Sequence, residues 1–161
     1  ENITLIVQAR CGSSRFPNKI LQKIDQNFTL IEYLFKRLFG KKNKSFLFGQ
    51  KKKKEDDKLC DLFKNTRVKI FRGSENNVLS RYYNIAKKEK SKIIIRITGD
   101  CPFVDYELVD DAISQFTTSG VDYITNGSPP SYPDGLDIEV FSIEALEKAN
   151  KEASQIGVQV V

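Results

Sequence analysis

The chain has 161 residues, 40% hydrophobic and 29% charged, with a formal net charge of +5; this is the composition of one ordinary globular domain with a sizeable core. No apolar run approaches the roughly 20 residues that cross a bilayer. The lack of any histidine excludes a Ser-His-Asp triad, a histidine general base and a histidine-ligated metal.

The predicted elements follow in chain order. Ile3 to Ala9 is nearly continuous apolar sequence of strand length, broken by Thr4 and Gln8, as for a strand buried on both faces. Arg10 to Lys19 is a loop rich in Gly, Ser and Pro. Thr29 caps a helix over Leu30 to Phe39, with Leu30, Tyr33, Leu34 and Leu38 on one face. Ser45 to Gly49 is a short strand, Glu55 to Asn65 a helix, Val68 to Phe71 a strand and Asn77 to Lys90 a helix. The isoleucines of Lys92 to Thr98 favour a central strand. A helix over Asp105 to Phe116 and a strand over Val121 to Thr125 lead into a proline-rich loop, Gly127 to Gly135. A strand over Leu136 to Phe141 and a helix capped by Ser142 close the pattern.

This alternation predicts an α/β fold of three layers, a mostly parallel sheet with helices on both faces. One domain spans 1–161, without internal repeat or linker; the absence of methionine and the trailing end at Gly157 to Val161 suggest a chain truncated at its C-terminus. Cys11, Cys60 and Cys101 are widely spaced and predict free thiols in a reducing cytoplasm. The lysine-rich runs at 41–44 and 51–54 lack interleaved aromatics, so solvated loops describe them better than a nucleic-acid surface.

In such sheets ligands bind beyond the carboxyl ends of the strands, which directs attention to two segments. After the first strand, Arg10-Cys-Gly-Ser-Ser-Arg-Phe-Pro-Asn-Lys19 places Arg10, Arg15 and Lys19 around Gly12 and Ser13. Successive amides in a turn cradle anions, and the three cations complement a triphosphate; a solvated basic loop is the plainer alternative. The spacing is neither that of a Walker loop nor that of a GxGxxG dinucleotide turn. After the isoleucine strand, Gly99-Asp100 sets a carboxylate at a strand end, where it can ligate Mg²⁺ or simply cap a turn.

The opening Ile6-Val-Gln-Ala-Arg-Cys-Gly-Ser-Ser-Arg-Phe-Pro-Asn-Lys-Ile-Leu21 resembles the signature of the sugar-acid cytidylyltransferases, in the branch typified by spore-coat polysaccharide biosynthesis and similar to acylneuraminate cytidylyltransferases. Three further stretches resemble that branch in order: Phe71 to Tyr83, Arg96 to Asp105 and Tyr132 to Phe141. Cys11 and the lysines at 51–54 depart from the expected pattern, and a histidine-containing segment expected after the last helix is missing.

The resemblance implies a nucleotide-diphosphosugar-transferase-like, Rossmann-like fold. It implies that Arg10, Gly12, Ser13, Arg15 and Lys19 hold the triphosphate, and that Ser74 and Arg81 border the nucleotide. Asn126, Asp134, Asp137 and Glu139 would face the sugar, and Asp100 would bind catalytic Mg²⁺ with Asp137, or alternatively Glu139, as a second ligand. A solvated strand face accounts equally well for Asp137 and Glu139, and a surface ion pair for Arg81. The implied partners are a nucleoside triphosphate, CTP, and a sugar acid, with no nucleic acid and no membrane span. The missing region implies a homodimer in relatives and part of their acceptor pocket. The expected reaction is attack of a sugar hydroxyl on the α-phosphorus of CTP, giving a CMP-sugar and pyrophosphate, with Arg15, Lys19 and Asp100 catalytic. A metal-dependent glycosyltransferase of related fold is the alternative enzyme. A basic binding module is the alternative of another class, and steep salt dependence would mark it.

Overall fold

The computed structural model describes residues 2–9, 16–39, 44–50, 54–73 and 77–156. Six strands form one sheet: β1 (Ile3–Gln8), β2 (Lys44–Gln50), β3 (Lys69–Gly73), β4 (Ile93–Thr98), β5 (Tyr123–Thr125) and β6 (Glu139–Ser142). The helices are α1 (Leu30–Leu38), α2 (Lys54–Phe63), α3 (Val78–Glu89), α4 (Tyr106–Ser119) and α5 (Ile143–Ile156).

Strand order is β3-β2-β1-β4-β6-β5. β1 pairs in parallel with β2 and β4, and β2 with β3. β6 runs antiparallel between β4 and β5. The sheet is therefore mostly parallel, as the alternation of elements predicts, with one reversed strand. Chain order leaves β1 toward β2 and β3 on one side and returns to β4 on the other. The topological switch point thus lies between β1 and β4, where their carboxyl ends open the crevice typical of such sheets.

The apolar runs explain the layers. On one face, Leu5, Val7, Ile93, Ile95 and Ile97 pack with Leu34 and Phe35 of α1, Phe63 of α2 and Val109 of α4. On the other, Ile6 and Ile94 meet Val78, Tyr82 and Ile85 of α3 and Leu146 of α5. Period-two alternation in β1 and β4 sends adjacent residues to opposite layers, so continuous hydrophobicity is what a doubly covered strand requires. Thr4 is fully buried in this setting because its hydroxyl meets that of Ser91 at 2.6 Å.

Caps fix the helix starts. Thr29 and Glu32 form a reciprocal capping box on α1. Asn77, Asp105 and Ser142 accept from the backbone N–H of Ser80, Leu108 and Ala145 at the starts of α3, α4 and α5. Arg37 of α1 also reaches Asp105 at 3.0 Å, tying α1 to α4. Among the described residues no helix is long and apolar enough to cross a membrane.

Two differences from the sequence reading bear on the site. A single 3-10 turn over Lys19–Leu21, preceded by Asn18 at φ 56°, follows the first loop. The last strand begins at Glu139 rather than Leu136, because residues 136–138 bond elsewhere. The Asn126 side chain donates to the carbonyl of Leu136 and accepts from the N–H of Ile138, both at 2.8 Å. That carboxamide takes the place of a neighbouring strand.

Candidate active site

The β1 and β4 termini approach closely because position 99 has no side chain. The Gly99 N–H donates to the carbonyl of Gln8 at 2.7 Å. A Cβ there would stand 2.9 Å from the Cβ of Ala9 and 3.1 Å from the Gln8 carbonyl oxygen. This contact accompanies the meeting of Lys19 and Asp100, one residue from each of the two segments singled out in sequence. The Lys19 ammonium lies 3.6 Å from the Asp100 carboxylate, both about half exposed. Arg10, Gly12, Ser13, Arg15 and Ser74 lie outside the described residues.

The second predicted acid, Asp137, is exposed in the segment before β6. A Cβ on Gly127 would lie 3.4 Å from its Oδ1. The buried Cys101 thiol lies 3.1 Å from the Thr98 hydroxyl and 4.0 Å from the Asp100 carboxylate. Burial pushes that thiol up in pKa, the Thr98 hydrogen bond opposes the shift, and the charges of Asp100 and then Asp137 add to it. The structure therefore brings Lys19 and Asp100 together at the switch point, while the Asp137 carboxylate lies beside Gly127.

The remaining predicted residues are distributed. Asp134 is exposed in the loop before β6. Asn126 spends both ends of its amide on that loop's backbone. Arg81 is buried within α3, at 1% exposure. Glu139 forms an ion pair with Arg96, its cross-strand partner in the β4–β6 register.

Sequence reasoning missed the network around that pair. Gln8 Oε1 accepts from Arg96 Nε and Nη2 at 3.4 Å and from the Tyr82 hydroxyl at 3.3 Å. Burial pushes the Tyr82 phenol far up, with Arg96 pulling it partly back. For Arg96, desolvation lowers the pKa, but Tyr82 and Glu139 outweigh it and the guanidinium stays charged. Gln8 ends β1 at the root of the cationic loop, so the network ties β1, β4, β6 and α3 together behind the site. The available signal was two polar residues, Gln8 and Arg96, interrupting buried apolar strands.

A doubly covered, mostly parallel sheet of this strand order, together with the relatives below, places the chain among the nucleotidyltransferases of α/β fold. A cytidylyltransferase of Leptospira borgpetersenii has the same fold: TM-score 0.86 and 32% identity, over 93% of this chain and 64% of that one. This chain belongs to the cytidylyltransferase family, whose model matches residues 4–155. It is 39% identical over 151 residues to the uncharacterized protein MJ1063 of Methanocaldococcus jannaschii, covering 93% of this chain and 60% of that protein. It is 34% identical over 162 residues to the spore coat polysaccharide biosynthesis protein SpsF of Bacillus subtilis, covering 94% and 67% respectively.

Proposed function

We propose that this chain carries the nucleotide-handling machinery of a cytidylyltransferase that moves CMP from CTP onto a sugar acid for surface polysaccharide synthesis. The observation that carries the reading is the meeting of Lys19 and Asp100 at the switch point of the sheet. Family membership and the likeness to SpsF favour it over glycosyl transfer.

In this reading the sugar hydroxyl oxygen bonds to the α-phosphorus. The bond from phosphorus to the bridging oxygen breaks, pyrophosphate leaves, and the hydroxyl proton passes to solvent. The protein contributes position and charge. Lys19 neutralises the departing pyrophosphate, joined by Arg10 and Arg15 of the same loop. Asp100 and Asp137 are two exposed carboxylates rather than a closed cage, a donor set suited to Mg²⁺, which keeps several waters and shares phosphate oxygens. When bound, the ion neutralises charge developing on the phosphates. Before nucleotide enters, the Lys19–Asp100 pair keeps both charges compensated; a phosphate then claims Lys19 and releases the carboxylate.

Pyrophosphate release measured with CTP, UTP, GTP and ATP, each with a 2-keto sugar acid and Mg²⁺, tests the proposal. CTP is expected to support turnover well above the other three. Release independent of the base, or transfer from a nucleotide sugar instead, would contradict it.

A further inference from the structure

The α3–α5 side of the sheet carries a cleft of about 470 Å³. Its floor is the Arg96–Glu139 pair, each side chain roughly 30% exposed. Its wall is aromatic. Tyr123 stacks on Phe141 with ring centroids 6.4 Å apart and planes 19° apart, and Tyr82 meets Phe141 edge-on at 6.3 Å. Tyr123 is half exposed, and Leu146 of α5 lines the far side.

We infer that this cleft receives the uncharged, hydroxyl-bearing tail of the acceptor, with Glu139 and Arg96 reading its hydroxyls and Tyr123 lying along its C–H face. The inference rests on the reading of the chain as a sugar-activating transferase and adds the orientation of the acceptor to it.

Charge is the first reason. Arg96 is already neutralised by Glu139, so the floor offers a donor and an acceptor side by side without net charge. Neighbouring hydroxyls, each able to donate and accept, match that pattern. A carboxylate would meet Glu139 at close range, and such like-charge contact selects against it. The charged end of a sugar acid therefore belongs at the cationic end of the site, near Lys19.

Shape is the second reason. An apolar cleft with one exposed aromatic face and a few convergent polar groups is the usual makeup of a small-molecule site. Sugars present both kinds of surface.

Placement is the third. Arg96 and Thr98 project from the same face of β4, and Asp100 follows in the turn beyond. Arg96 thus sits two strand residues, about 7 Å, before the end of β4, within reach of a sugar of eight or nine carbons held at the turn. An acceptor whose reacting end lies by Lys19 and Asp100 reaches Arg96 with its tail. The cavity of about 330 Å³ beside α4, lined by Gln115 and Tyr132, lies on the opposite face and does not continue this row.

Calorimetric binding of two 2-keto sugar acids tests the inference: 3-deoxy-D-manno-octulosonate, and its six-carbon homologue lacking the last two hydroxyl-bearing carbons. The intact chain is expected to bind the longer acid at least about tenfold more tightly. Glu139→Gln and Tyr123→Ala are each expected to erase that preference, and the rise in melting temperature with CTP and Mg²⁺ is expected to persist. Equal binding of the two acids, binding of neither, an unchanged preference in both variants, or loss of the CTP response in both would overturn it. A wild-type chain that shows no CTP response at all sinks the transferase reading instead, so the two failures are distinguishable.

Discussion

The ammonium of Lys19 stands 3.6 Å from the carboxylate of Asp100, joining the exit of β1 to the exit of β4. Both groups are about half exposed, and such pairs contribute about 0–1 kcal/mol. In the proposed reaction their worth lies in chemistry rather than stability. Asp100→Ala is expected to abolish pyrophosphate release, and Lys19→Ala to lower it on the order of 10²-fold, as when one preorganised charge-stabilising donor is removed. Urea midpoints should move by no more than a few tenths of a kcal/mol equivalent. A Lys19→Ala chain with unchanged turnover would take Lys19 out of the mechanism.

Gly99 has the opposite profile. An added methyl group meets Ala9 and the Gln8 carbonyl, neither of which is a flexible side-chain end. Gly99→Ala should therefore push β1 from β4 and cost about 1–3 kcal/mol, the usual penalty for overpacking. Chemical denaturation monitors that loss. Unaltered stability would mean that the strand ends are more yielding than their contact suggests.

Asn126 holds the loop before β6 through its two amide bonds to Leu136 and Ile138. Asn126→Ala leaves a carbonyl and an N–H without their partner, at a cost of about 1–3 kcal/mol. Amide exchange should accelerate at Ile138 and leave Ile94 of the central strand protected. Equal acceleration at both sites would count against a local clamp.

The Lys87–Glu147 pair between α3 and α5 predicts a pH dependence with a definite sign. Hydrogen bonding and charge from Lys87 lower the pKa of Glu147, and the Glu147 carboxylate raises that of Lys87. A depressed acid stabilises the fold above its unfolded pKa and loses the effect as pH falls through the folded one. A raised base stabilises below its unfolded pKa and loses the effect as pH rises through the folded one. Glu147→Gln should lower the denaturation midpoint slightly at neutral pH and leave it unchanged below the carboxylate range. A difference that persists in acid would refute the ionic origin.

Much of this architecture is legible in the residues themselves. The isoleucine run of β4 and the apolar Ile3–Ala9 segment announce strands covered on both faces, and Thr29 with Glu32 announces a helix start. Asp100 is visible as a strand-end acid because Gly99 precedes it. The reversal of β6 is not legible, since an alternating strand reads the same in either direction. Nor is the delayed start of β6, which depends on Asn126 bonding to residues that follow a long loop. The Arg96–Glu139 pair was hidden for a similar reason: cross-strand register across an antiparallel contact brings together residues whose local patterns are silent about each other. From sequence alone Glu139 reads equally as a sugar contact or as a solvated strand face; its ion pair with Arg96 is visible only in the structure.

The most direct test of the central claim, that Lys19 and Asp100 together hold a metal-bridged polyphosphate, is the melting temperature with CTP before and after removal of Mg²⁺ by EDTA, in the native chain and in Asp100→Asn. The native chain should be stabilised by CTP plus Mg²⁺ and lose most of that stabilisation with EDTA, while Asp100→Asn should show no metal-dependent component. A full, EDTA-sensitive CTP response in Asp100→Asn would contradict the account.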